Sequence, residues 1–163
     1  MKKFKLTSEF IVDISGVKLF RIKALIEFGN VKAGDLGGYI EKEENLSHMG
    51  NAWVSGNAQV SGDARVSGNA QVFGDARVSG DKDYAYAHGF GSCNRTTTFF
   101  RLKDGDVGVR CGCFYGTLAQ FRDNVCETHG ETKKAQEYLM LADLMELRFE
   151  EDENEVGNRK YVE

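Results

Sequence analysis

Between Gly50 and Asp81 the apolar positions of the chain recur with a period of six. Gly50, Gly56, Gly62, Gly68, Gly74 and Gly80 are each followed by Asn or Asp, then Ala in the first five units, then, two positions later, Val. The unit is Gly-[Asn/Asp]-Ala-x-Val-x. A single amphipathic helix repeats near 3.6 residues and a single strand repeats at two, so a strict six is neither. It is the pattern of a β-solenoid: each hexad supplies one short strand and one corner, and three hexads close a triangular coil of 18 residues. In that geometry Val54 lies over Val72, Ala58 over Ala76 and Asn51 over Asn69. Ala is required where three walls converge on a narrow axis. Gly takes the corner because positive φ is cheap for it, and Asn or Asp tolerates the next position.

The flanks lose the period of six. Phe10–Ile14 and Val17–Ile22 are β-rich clusters joined by Ser15-Gly16, which reads as a hairpin. Gly34–Ile40 is loop-like and is expected to form an irregular first coil. Beyond the hexads, Thr96–Leu102 and Val107–Cys111 read as a second hairpin across Lys103–Asp106. Thr117-Leu118-Ala119-Gln120 is a capping box that opens a helix running to His129, with Leu118, Phe121 and Val125 as its apolar stripe and Gly130 as its stop. A last helix is expected from Thr132 to Phe149. Its apolar residues cover most of its circumference, which predicts a buried helix or one shared between core and interface. The expected fold is therefore mainly β: a short left-handed β-helix with an N-terminal hairpin, and a C-terminal hairpin plus two helices. The expected segments are 1–49 (N-terminal β cap and first coil), 50–92 (β-helix) and 93–163 (C-terminal α+β module with an acidic tail).

Composition sharpens this picture in three places. The chain has 19 Gly and no Pro among 163 residues, so the glycines meet a regular backbone need rather than building a loose linker. The net charge of −4 argues against sequence-specific DNA binding, which relies on basic surface. Acids outnumber bases ten to five over residues 130–163, and the run Glu150–Glu155 is either a solvated terminus or a contact for a basic surface. No apolar run reaches the roughly 18 residues that span a bilayer. The basic N-terminus has no apolar stretch of signal-peptide type behind it, so the expected setting is cytoplasmic and the four Cys are expected to stay reduced.

Chemistry-bearing residues are few. His48 precedes the first strict hexad and His88 follows the last; either is a candidate general base, without an evident orienting acid in the sequence. Cys111, Cys113, Cys126 and His129, with Cys93 beyond them, are candidate Zn ligands, since Cys126 and His129 fall on one helix face. Cys-x-Cys is not the usual knuckle spacing, and buried thiols are commonly core residues. Candidate binding residues lie on the outward positions of the hexads: Trp53, Arg65 and Arg77 in one register, and Phe73, which interrupts a register otherwise occupied by Ser. Tyr84 and Tyr86 join them by alternation. Aromatic and Arg side chains dominate interfaces when exposed, whereas Tyr84, eighteen residues after Val66, better suits a cap on the Val column.

The hexads resemble those of left-handed β-helix, hexapeptide-repeat proteins. Phe20–Leu25, Val31–Ile40, Asn45-Leu46-Ser47 and Gly50–Val54 resemble more specifically the N-terminal block of short β-helix proteins from bacteria, prophages and phages, often described as transferase-like or polymer-forming. Thr97–Phe100 through Cys111–Leu118 is similar to a C-terminal module on phage-borne members. The resemblance implies a β-helix in a phage or prophage setting, in the cytoplasm of a bacterial host, and transfers no reaction. On that basis the expected activity is non-enzymatic binding without a cofactor. The leading form is an inhibitor of a host defence system, acting on a host protein as an anti-CRISPR does or as a sponge for a nucleotide second messenger. The alternatives are an acyltransferase-like enzyme and a structural assembly module. Open solenoid ends and an over-apolar last helix add the expectation of a homo-oligomer.

Overall fold

In a computed structural model that describes residues 1–91 and 95–150, the hexads become two-residue strands joined by turns. These are β4 (Trp53–Val54), β5 (Gln59–Val60), β6 (Gln71–Val72) and β7 (Arg77–Val78). Pairing is parallel and eighteen residues apart: Val54 faces Val72 and Val60 faces Val78. Val54, Val60, Val66, Val72 and Val78, with Ala52, Ala58, Ala64, Ala70 and Ala76, are all buried in one core. The coil before them is wider. Ile40, on β3 (Leu36–Ile40), pairs with Val60, and Leu46 bridges Val66, each twenty residues along. The two extra residues fall between Leu46 and Val54, in the corner that carries His48.

Hydrogen bonds between coils run both ways. N–H groups of one coil donate to carbonyls of the next, as in Trp53 N to Ala70 O (3.1 Å), Ser55 N to Val72 O (2.9 Å) and Gln59 N to Ala76 O (2.9 Å), and Val66 N donates back to Asn45 O at 2.9 Å. Parallel pairing alternates the two bond directions, so each end of the solenoid presents both carbonyls and N–H groups that must be satisfied. At the N-terminal end Tyr39 N and Glu41 N reach Ala58 O and Val60 O. Two side chains satisfy further carbonyls there. The Lys3 ammonium, 1% exposed, donates to Ala52 O at 2.7 Å and lies over the Phe28 ring, and buried Asn45 donates to Gly62 O and Ala64 O. At the other end Gln71 N donates to Thr98 Oγ1 (2.9 Å), Arg65 N to Asp81 and Ser79 N to Asp83.

The N-terminal strands β1 (Phe4–Val12) and β2 (Lys18–Ala24) pair antiparallel, and β2 joins β3, so the sheet order is β1-β2-β3-β5-β7. At the other end β8 (Tyr84–Phe90), β9 (Arg95–Arg101), β10 (Val107–Cys111) and β11 (Phe114–Thr117) form an antiparallel sheet ordered β11-β10-β9-β8. Its two faces follow from alternation. Tyr84, Tyr86, Thr98, Phe100, Arg110 and Tyr115 fall on the face set against the solenoid, where Tyr84 and Phe100 enter the solenoid core. Ala85, Phe99, Val109, Cys111 and Phe114 fall on the other face and pack against α1 (Leu118–His129) and α2 (Lys133–Phe149). β8 thus belongs to the C-terminal sheet, and the segment expected as solenoid over 50–92 is shared between two units.

The helices begin where their caps require. Thr117 and Gln120 make a reciprocal capping box on α1, and Thr132 caps α2. Ala135, Tyr138, Ala142, Met145 and Phe149 give α2 a buried face, and on the far side Met140, Leu144 and Leu147 are exposed. Among the described residues no helix is long and apolar enough to cross a membrane. Of the acidic run, Glu150 caps α2 and Glu151–Glu155 lie outside the described residues.

Two corner glycines make a test. Gly74 has φ +66°, and a Cβ there would run into the Tyr115 hydroxyl, whereas Gly80 has extended backbone and open space around it. Gly74→Ala is expected to lower the unfolding free energy by about 1–3 kcal/mol, and Gly80→Ala to change it by less than about 0.5 kcal/mol. Urea denaturation of both variants checks this; equal losses would contradict the packing of Tyr115 on the corner.

Candidate functional site

His48 gains the acidic partner that the sequence did not reveal, yet the geometry gives it a structural task. Its ring stacks on Phe4 at 4.2 Å. Nδ1 accepts the Lys3 backbone N–H at 3.0 Å, so the ring proton is assigned to Nε2, which lies 2.8 Å from Glu43 Oε1. The His48 hydrogen bond, followed by that of Lys2, holds the Glu43 carboxyl below its ordinary range. Both ring nitrogens are occupied, so none is left to accept a proton from a substrate. His88 is exposed, with Nδ1 2.7 Å from Thr96 Oγ1.

The sulfur candidates are partly gathered. Cys111 is half-buried, accepts from Thr97 Oγ1 at 3.3 Å and stands 3.7 Å from the Tyr138 hydroxyl. Cys113 and Cys126 are exposed, and the His129 ring lies beside Tyr138 at 5.7 Å. Cys111, Cys113 and His129 line one cleft, while Cys126 stands outside it. Among the described residues no group of three His, Cys, Asp or Glu could hold a metal ion; Cys93 lies outside them.

The binding candidates divide by depth. Trp53 is buried edge-on against Phe28 at 5.3 Å, which places it in the N-terminal cap rather than on an outer wall. Tyr84 is buried too: its hydroxyl donates to Arg65 O, and burial pushes its phenol pKa up. Phe73 is half-buried, edge-on to Tyr115 at 4.9 Å, with the Arg110 guanidinium 4.7 Å from its ring centre. Arg77 is half-buried and donates to Asn57 O and Ala76 O. Arg65 and Tyr86 are exposed.

A polar groove runs between the solenoid wall and the start of the C-terminal sheet. It has a volume of about 400 Å³, and Asn30, Asn51, Asn69, Gln71, Arg95, Thr96 and Arg110 line it. The repeat itself builds the carboxamide side. Asn51 and Asn69 follow stacked corner glycines, and Asn51 N donates to Gly68 O at 3.1 Å, so the two residues occupy the same corner on adjacent coils. Gln71 is the outward residue of β6, and its N–H is the one held by Thr98. Thr98 is paired across the sheet with Arg110, so this contact brings Arg110 against the wall. Arg95 opens β9 and its guanidinium lies on Gly112, where any Cβ would collide with it.

The groove is electropositive. Its described lining contains two guanidinium groups and no carboxylate. The Arg110 Nε is buried and has no hydrogen-bond partner among the described residues. An unpaired buried N–H is costly, and an oxyanion is the acceptor guanidinium groups fit best, often through two parallel bonds. Neither arginine is among the residues the hexads single out. The available signal was alternation on β10: Val107, Val109 and Cys111 share one face, leaving Gly108 and Arg110 on the other. That signal says nothing until the partner of the second face is known.

A family model described as the YdcK beta solenoid repeat matches residues 58–72 and 70–81. The matched stretch lies within the strict hexad array, so the likeness is to a β-solenoid repeat. The comparison with curated proteins finds no match.

Proposed function

We propose that this protein acts by stoichiometric binding and captures a small anionic ligand in the groove beside the solenoid. The observation that carries this reading is that Arg95 and Arg110 line one groove with the carboxamides of Asn51, Asn69 and Gln71 and with no carboxylate in its described lining. The setting that goes with it is a phage or prophage protein working in the host cytoplasm on a left-handed coil. Its role there is to oppose a host defence system as a sponge for an anionic signal. Direct docking on a host protein, in the manner of an anti-CRISPR, is the second reading. Exposed Tyr86 and Arg65 favour it, and the burial of Trp53 and Tyr84 removes two of its anchors. Acyl transfer through His48 is disfavoured because both its ring nitrogens are engaged.

Calorimetry with inorganic phosphate, pyrophosphate and nucleoside phosphates at low salt tests the reading. One-to-one saturation that weakens as salt rises is the expected result. Turnover of acetyl-CoA, or no heat with any anion, would overturn it. The protein is also proposed to self-associate through the exposed Met140, Leu144 and Leu147 face of α2. Light scattering at micromolar concentration is expected to give an oligomer mass that Leu144→Lys returns to a monomer; a monomer mass before substitution would refute it.

A further inference from the structure

Resting on the anion-binding reading, we infer that the ligand is a nucleotide, with its phosphate on Arg95 and Arg110 and its base in the neighbouring aromatic cleft. At Arg95 the groove reaches the edge of the C-terminal sheet. A second hollow of about 470 Å³ begins there, and Arg95 and Cys113 line both. The two hollows differ in chemistry. The first presents carboxamides and guanidinium groups. The second is walled by Phe114, Phe121, Tyr138 and His129, with Asn124 and Thr128 also in its lining. Phe114 and His129, both half-buried, are the rings a ligand could reach there, and they rest on the buried rings of Phe121 and Tyr138.

A ligand spanning both halves needs an anionic end and a flat, mostly apolar end that also carries hydrogen-bonding groups. A nucleotide has both. Aromatic walls suit any base, because every base has a π-face, while an amide such as Asn124 can pair with a base edge. Each hollow falls within the roughly 300–1,000 Å³ of ordinary small-molecule sites. Arg110 pairs with Thr98, three residues along β9 from Arg95, about 10 Å of strand; alternation starts the two side chains on opposite faces of the sheet, and both reach the groove at its edge. Inorganic phosphate would use the first hollow alone and leave the aromatic cleft without a role.

The test is calorimetry on the full chain at low salt with AMP, GMP, CMP and UMP, their nucleosides, and ribose 5-phosphate. The best nucleotide is expected to bind at least tenfold more tightly than both its nucleoside and ribose 5-phosphate. Arg110→Gln and, separately, the exposed Arg95→Gln should lower that nucleotide to the level of its nucleoside. Asn124→Trp, which fills the cleft from an exposed helix position, should lower it to the level of ribose 5-phosphate. Thermal unfolding of each variant verifies that it is folded. Ribose 5-phosphate binding as tightly as every nucleotide would remove the base half and leave the anion groove standing. No binding of any phosphate compound would remove both.

Discussion

Val66→Asp is expected to abolish folding of the solenoid. Val66 is fully buried, and Leu46 bridges it on the coil above. On the side toward the next coil, Tyr84 occupies the position one period on and is buried in the same core. A carboxylate placed there meets Ala and Val side chains and finds no cation. Taking an unpaired charge out of water costs several kcal/mol even after relaxation, comparable to the whole stability of a domain this size, about 5–15 kcal/mol. Loss cannot stay local, because each coil is held by its neighbours. Circular dichroism and denaturant titration should show an unfolded chain or a molten one. The neighbouring Arg65 points outward and is exposed, so Arg65→Asp should shift stability by less than about 0.5 kcal/mol. Similar behaviour of the two variants would mean that the inward and outward registers are misassigned.

Lys3→Ala should cost about 1–3 kcal/mol for the carbonyl it leaves unpaired, and it should also change how stability depends on pH. The ammonium helps close the N-terminal end by donating to Ala52 O, and burial lowers its pKa from 10.5 to about 8. Below about 8 the folded protein keeps the charge at a cost. Between about 8 and 10.5 the unfolded chain binds more protons than the folded one, so this residue makes the protein more stable as pH rises through that window. The difference in unfolding free energy between wild type and Lys3→Ala should therefore widen from pH 7 to pH 9.5. Taking the difference cancels Tyr84, whose raised pKa acts in both proteins. A difference that stays flat over that range would show that the Lys3 ammonium is not held out of water.

What could be read from the sequence was whatever repeats or punctuates locally. The Val and Ala columns were legible because a period of six leaves one inward register, and every coil restates it. The starts of α1 and α2 were legible because Thr117, Gln120 and Thr132 act on backbone groups within one turn. Tertiary structure decided the rest, because it depends on unlike segments meeting. Trp53 occupies an outward hexad position, yet it is covered because Phe28, from the chain before the hexads, packs on it. β8 breaks the period, and only its pairing with β9 shows that Tyr84–Phe90 has left the solenoid. Lys3 reads as one of several basic residues at the N-terminus. It becomes a buried cap because a solenoid end exposes carbonyls that need a donor. The groove needed three remote contributions: a carboxamide pair from the repeat, Gln71 held by Thr98, and two arginines on different strands. Periodicity reports what a residue does against its own kind one coil away, and it carries no information about the partner that covers the last coil.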